Sequence, residues 1–341
     1  MVGWWLLACA AMIAVMVVLG GITRLTESGL SITEWDPVTG VLPPLGHAAW
    51  QAEFARYREI PQFRAIHAWM TLADFKRIFF WEWLHRLWGR LIGFVFLLPF
   101  LWFLMRRRIG AALWPRLALI FALGAAQGLL GWVMVESGLA GRIEVSQYRL
   151  VAHLALALVI YAAILWTALG LLAPPPSGPP HPALRRAAAA LAGLVFLTIL
   201  AGGFVAGTRA GFIDNTFPLM EGRFVPPGYA ALVPFWRNWF ETVPAVQFDH
   251  RLLAEATLLA VIAFGLAARR ADLPATARRT VHAVLAAALL QVALGIATLL
   301  LVVPVPLGVA HQAGALLLFS AAILARHALR PAGSTKAVAV C

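Results

Sequence analysis

Eight stretches of about twenty apolar residues constrain this chain more than any other feature. They run roughly over 3–22, 84–105, 116–136, 150–172, 186–207, 250–268, 282–302 and 306–326. About 20 apolar residues carry an α-helix across hydrocarbon. Inside lipid the backbone must satisfy its own hydrogen bonds, so helices are the expected form. Composition agrees: 62% of the 341 residues are hydrophobic and only 12% charged, where a soluble domain carries about 25% charged residues. The expected fold is therefore all-α, a polytopic membrane protein with eight transmembrane helices.

The net charge of +12 does not point to nucleic acid, because the cations sit in short loops between the spans: Arg106–Arg108 with Arg116, Arg185 and Arg186, Arg269 and Arg270 with Arg278 and Arg279, and the tail with Arg326, Arg330 and Lys336. Of fifteen acidic residues only Asp272 falls on that side. By the positive-inside rule, both termini and these loops are expected in the cytoplasm, in a bacterial inner membrane, with 23–83 and 208–249 on the other face. Cys9 lies within a span and Cys341 ends the chain, which leaves neither a disulfide framework nor a cysteine metal site. The first span is too long for a signal-peptide core, so no cleavable leader is expected. Leu45–Ile60 and Trp69–Trp83 show helical periodicity and are expected as amphipathic helices on the outer surface, with the tryptophans there and Trp88 forming an interfacial belt.

The polar cluster Trp81–Arg90 runs straight into the second span and contains Glu82, His85 and Arg86. About 165 positions later, Gln247, Asp249, His250 and Arg251 enter the sixth span in the same way. His153 and His311 match in spans four and eight, and Gln127-x-x-x-Gly131 is echoed by Gln291-x-x-x-Gly295. Gly20–Arg24 is echoed by Gly202–Gly203 with Thr208–Arg209. Four spans return the chain to its starting side, so the halves are parallel repeats. The expected division is an N-terminal four-helix unit 1–173, a cytoplasmic linker 174–185 and a C-terminal four-helix unit 186–341, giving two pseudo-symmetric four-helix bundles.

Spans two, four, six and eight run in one direction, and each carries its histidine in the outer third. Two imidazoles on facing helices at one depth are what bis-histidine haem ligation requires. Arg86, Arg251, Arg24 and Arg209 lie on the same side, where guanidinium groups can pair with propionates. Readings weighed against this are a hydrogen-bonded helix contact, a zinc or copper site and a proton relay. His47, His67, His181, His282 and His327 have no repeat partner and are expected in loops or interfaces. The Gln-x-x-x-Gly pairs are expected to permit close helix approach. Glu82 lies on the face of His85 where the second half has Gln247, so the first site is the candidate for proton-coupled chemistry and the second for a permanently held haem. The bland alternative is that Glu82 pairs with Arg86, one turn on.

With these residues assembled, the chain resembles the haem A synthase family in its longer, proteobacterial and mitochondrial form. The resemblance rests on Gly20–Trp35, Asp74–Arg86, Asn215–Met220, Asp249-His250-Arg251 and His311-Gln312, and covers almost the whole chain. It implies an eight-helix oxidoreductase that converts haem O to haem A, turning a ring methyl into a formyl group in successive steps for terminal oxidase assembly. By that resemblance His250 and His311 would ligate a resident haem b, and His85 and His153 the substrate haem O, with Glu82 as an essential catalytic acid. A haem O-producing farnesyltransferase and an electron donor are implied partners, alongside membrane lipid. Some relatives carry an outer-loop cysteine pair that this chain lacks, so a thiol-dependent step does not carry over. The alternatives are a di-haem b-type cytochrome passing electrons from quinol and a haem transporter or chaperone.

Overall fold

The computed structural model describes residues 1–36, 39–173 and 179–331. Lys336, Cys341 and much of the expected linker lie outside them. Eight helices are long and apolar enough to cross a membrane: α1 (Val2–Leu25), α3 (Leu72–Met105), α4 (Trp114–Leu139), α5 (Gln147–Leu172), α6 (Pro182–Thr208), α8 (Val243–Arg269), α9 (Ala275–Leu300) and α10 (Val305–Ala328). Between them lie α2 (His47–Glu59) and the short α7 (Asn238–Glu241). Proline stands in the first turn of α4, α6, α8 and α10, where its missing N–H has no intrahelical partner to lose.

One expectation is corrected. Residues 69–83 do not form a separate surface helix; from Leu72 onward they are the first part of α3, which runs unbroken for 34 residues. A capping box starts it at Thr71, whose hydroxyl accepts from the Asp74 N–H while the Asp74 carboxylate accepts from the Thr71 N–H. From there to Leu84 no glycine or proline interrupts the helix. At 1.5 Å per residue α3 is about 51 Å long, so roughly 20 Å projects beyond the ~30 Å hydrocarbon. The projecting part carries Phe75, Ile78 and Phe79, which pack with Tyr57, Ile60 and Phe63 as a second apolar core. Trp50 and Phe54 of α2 close on it through ring contacts at 4.9 and 5.1 Å. The first half therefore wears a folded cap at its acidic end.

Helices α1, α3, α4 and α5 touch in a closed ring, and α6, α8, α9 and α10 in another. The rings join through α1 on α10 and α5 on α6. Tyr161 and Ser320 bond across the joint at 2.7 Å, and Gln312 Nε2 donates to the Val17 carbonyl at 2.8 Å. In each ring the two histidine-bearing helices, α3 with α5 and α8 with α10, stand across from one another.

Candidate haem site

The four repeat-matched histidines are each seated on a glycine of an adjacent helix. A β-carbon at Gly20 would come within 3.3 Å of His85 Cε1, and one at Gly202 within 3.1 Å of His250 Cε1. At Gly131 and Gly295 the corresponding distances to His153 and His311 are both 2.9 Å. Real β-carbons essentially never come closer than 3.0 Å, so at Gly131 and Gly295 the absence of a side chain is what admits the ring. The close helix approach expected of the Gln-x-x-x-Gly pairs is thus an approach of glycine to imidazole.

The rings of His250 and His311 are 6.4 Å apart, centre to centre, at 84° to one another. An imidazole nitrogen binds a transition metal at about 2.0–2.1 Å and lies about 1.1 Å from its ring centre, so two rings gripping one metal from opposite sides stand roughly 6.3 Å apart. His85 and His153 also lie within electrostatic reach of one another. Nδ1 of His85, His153 and His250 is buried without a hydrogen-bond partner. Imidazoles so placed, on helices facing each other across a ring of four, fit a planar iron macrocycle between them. Among the described residues no three His, Cys, Asp or Glu side chains gather as a metal-ion site.

The first histidine of each half stands beside a lock that ties its helix to the loop at the acidic end. Arg86 donates to the carbonyls of Ile32 (2.7 Å) and Glu34 (2.9 Å), and Arg251 to those of Asp214 (2.6 Å) and Thr216 (2.8 Å). Each arginine also bonds the residue one turn before it, Glu82 at 2.6 Å and Gln247 at 2.7 Å. The locks differ in polarity. Buried Glu82 accepts from the Ser31 hydroxyl (2.7 Å) and the Ile32 N–H (2.8 Å). Buried Gln247 donates to the carbonyls of Ala210 and Ile213, both at 2.6 Å. Both Glu82 oxygens are thereby bonded, and the contact with Arg86 is present. Asp249, on another face of α8, accepts from the Tyr229 hydroxyl at 2.9 Å.

Arg24 and Arg209 meet between the halves. Arg24 pairs with Glu144 at 2.7 Å and donates to the Ala206 carbonyl, while Arg209 pairs with both Glu27 and Glu144. All four arginines singled out for propionates are thus engaged by the protein itself; Arg251 Nε alone is a buried N–H of theirs without a partner. Matching Gly20 to Gly202 through their histidines also matches Thr26 to Thr208, whose hydroxyls bond the carbonyls of Ile22 and Phe204. It then sets Glu27 opposite Arg209, both with left-handed backbone at φ 57° and 58°. Glu27 and Glu144 escaped the sequence reading because their partners come from other helices. The left-handed pair would have been visible only once the register was known.

The family model described as cytochrome oxidase assembly protein matches residues 3–323. The chain belongs to that family. Family members similar to it carry the name "Heme A synthase". That of Parvibaculum lavamentivorans is 51% identical over 331 residues, covering 96% of this chain and 94% of its own. The one of Rhodospirillum centenum is 53% identical, covering 96% and 88%, and the one of Granulibacter bethesdensis 52%, covering 99% and 90%. Within the family's matched region fall all four glycine-seated histidines and both arginine locks.

Of the unmatched histidines, His67 is buried between the Tyr57 hydroxyl (2.5 Å) and Glu27 (3.0 Å). His327 is buried edge-on to Trp166 at 5.2 Å, and His181 bonds the Asp272 carbonyl. The tryptophans are more engaged than a belt requires: Trp83 and Trp88 donate to the carbonyls of Val41 and Met12.

Proposed function

We propose that the protein is a haem A synthase, an oxidoreductase that converts a ring methyl of haem O to the formyl of haem A within the membrane. The observation that carries the reading is the His250–His311 separation, which suits one iron held from both sides. The four glycine seats and the relatives named for this activity support it. In this reading His250 and His311 hold haem b, and His85 and His153 present the substrate haem O.

When bound, haem b supplies electron transfer. The chain's own residues do the positioning. Gly131 and Gly20 fix the planes of the His153 and His85 rings, so that the substrate's edge is presented in one orientation. Arg86, through Glu82 and the carbonyls of Ile32 and Glu34, fixes the helix turn that carries His85. The cap over the acidic end of the first ring limits access of water to that site. Glu82 remains the candidate for proton handling, held in place by its ion pair with Arg86 and by the Ser31 and Ile32 donors. The acidic end, with the cap of the first half and the 209–242 segment of the second, faces away from the cytoplasm, and the termini face into it. A farnesyltransferase making haem O, an electron donor and an oxidase receiving haem A are the partners this activity needs.

Chromatography of haems extracted from the purified protein tests the proposal. Haem b together with haem O or haem A is the expected content. Haem b alone, in two equivalents, would instead mark a di-haem electron-transfer cytochrome.

A further inference from the structure

Each half carries a glycine pair, Gly20-Gly21 in α1 and Gly202-Gly203 in α6. The first glycine of each pair seats the first histidine of its own half, His85 or His250. The second glycine is buried and meets the other half. At Gly21 a β-carbon would come within 2.3 Å of Gln312 Oε1. At Gly203 it would come within 3.0 Å of Val151 Cγ2 and 3.2 Å of Leu154 Cδ2. Gln312 directly follows His311, and Leu154 directly follows His153. The residue after the second histidine of each half thus crosses the joint, to the helix turn on which the other half's first histidine is seated.

The two crossings differ in kind. Leu154 makes an apolar contact, whereas Gln312 Nε2 donates to the Val17 carbonyl at 2.8 Å. Within α1 that carbonyl is also the acceptor for the Gly21 N–H, four residues on. The amide therefore holds the turn from Val17 to Gly21, which contains Gly20. Helices in lipid have no hydrophobic force pressing them together, so close approach at small residues and bonds of this kind set how they stand. At this depth α10 is the firmer partner. Its His311 is seated 2.9 Å from the Gly295 position, whereas His85 stands 3.3 Å from that of Gly20, the widest of the four seats.

We propose that Gln312 is a positioning residue for the first site. Although it adjoins a histidine of the second site, its bond sets α1 against α10, and with α1 the seat of His85. The second site is thereby the fixed frame on which the first is aligned. This rests on the reading that the first site takes haem O and the second holds haem b.

The test uses the full-length protein purified with its haem b and follows the two sites separately. Haem b content and reduction midpoint potential report the second site, and a Soret titration with haem O reports the first. Gln312→Leu, which copies Leu154, should weaken haem O binding about 3- to 10-fold, the loss of one hydrogen bond. Haem b content and potential should stay unchanged. Gly21→Ala should act in the same direction with Gln312 still present, because the β-carbon meets the far end of a flexible side chain and turns the amide away. Both changes break one contact, so the double variant should bind haem O no more weakly than the weaker single one. Wild-type haem O affinity in both single variants, or haem b lost in step with it, would overturn the role of Gln312. Unchanged haem O binding by His85→Ala, or haem b retained by His311→Ala, would overturn the assignment of the sites instead.

Discussion

The two halves of the molecule solve one problem with the same parts and different polarity. Both seat two histidines on glycines, and both tie the first histidine's helix to a loop through an arginine and two carbonyls. The loop of the first half offers donors, Ser31 and Ile32, and takes a carboxylate; that of the second offers acceptors, Ala210 and Ile213, and takes an amide. Glutamate and glutamine are nearly isosteric, so the choice between them here follows what faces each. An acid in one half only does not by itself mark that half as the catalytic one, since a charge-matched lock would produce the same asymmetry.

The largest expected effect comes from filling a seat. Gly295→Val and Gly131→Val each push a branched side chain into a ring that the β-carbon alone would touch at 2.9 Å. Overpacking of this kind costs about 1–3 kcal/mol, roughly a 5- to 150-fold loss of haem affinity. Gly295→Val should empty haem b from the purified protein. Gly131→Val should leave haem b in place and end haem A formation. Equal loss of haem b in both variants would show that the halves do not hold their haems independently.

The comparison sharpens when the locks are exchanged. In Glu82→Gln one amide hydrogen pair must face either the Arg86 guanidinium or the Ser31 and Ile32 donors, which leaves a buried donor unpaired at a cost of about 1–3 kcal/mol. Gln247→Glu sets a carboxylate against two carbonyls and should cost a similar amount. Both variants should unfold at lower temperature, with Glu82→Gln also losing activity. If Glu82→Gln instead keeps wild-type thermal stability and haem content while haem A formation stops, Glu82 moves a proton and its lock is incidental.

The sequence disclosed the spans because each is a long apolar run with no competing pattern, and it disclosed the four histidines because they recur at one depth in alternate spans. It also disclosed α2, placed within two residues of its ends. It could not show that α3 continues through 84, since amphipathic periodicity outside the membrane and an apolar run inside it look like two elements when only hydropathy is read. Nor could it set the register at the joint. Spacing pairs Arg24 with Arg209, whereas the folded chain opposes Arg209 to Glu27, because the contacts that decide this lie between helices 180 residues apart. The partners of the Glu82 carboxylate escaped for the same reason: Ser31 and Ile32 approach it from a loop 50 residues away.

The smallest effect separates the caps. His67 is buried in the first cap, and burial lowers its pKa below the ordinary 6.5 despite the neighbouring Glu27; the outer segment of the second half, 209–242, holds no histidine. Burial, then the charge of Glu82, also raises the Tyr57 phenol, so the bond to His67 Nδ1 stays neutral. As pH falls through about 6.5 the unfolded cap takes up the proton first. The stabilisation held by neutral His67 is therefore complete above that pH and is lost progressively below it. Limited proteolysis between pH 7.5 and 5.5 should show cleavage near α2 rising on acidification while the 209–242 segment stays protected. His67→Gln should flatten that dependence. Acid-sensitive cleavage at both caps alike would mean that the joint between the halves, through the Glu27–Arg209 pair, transmits the change instead.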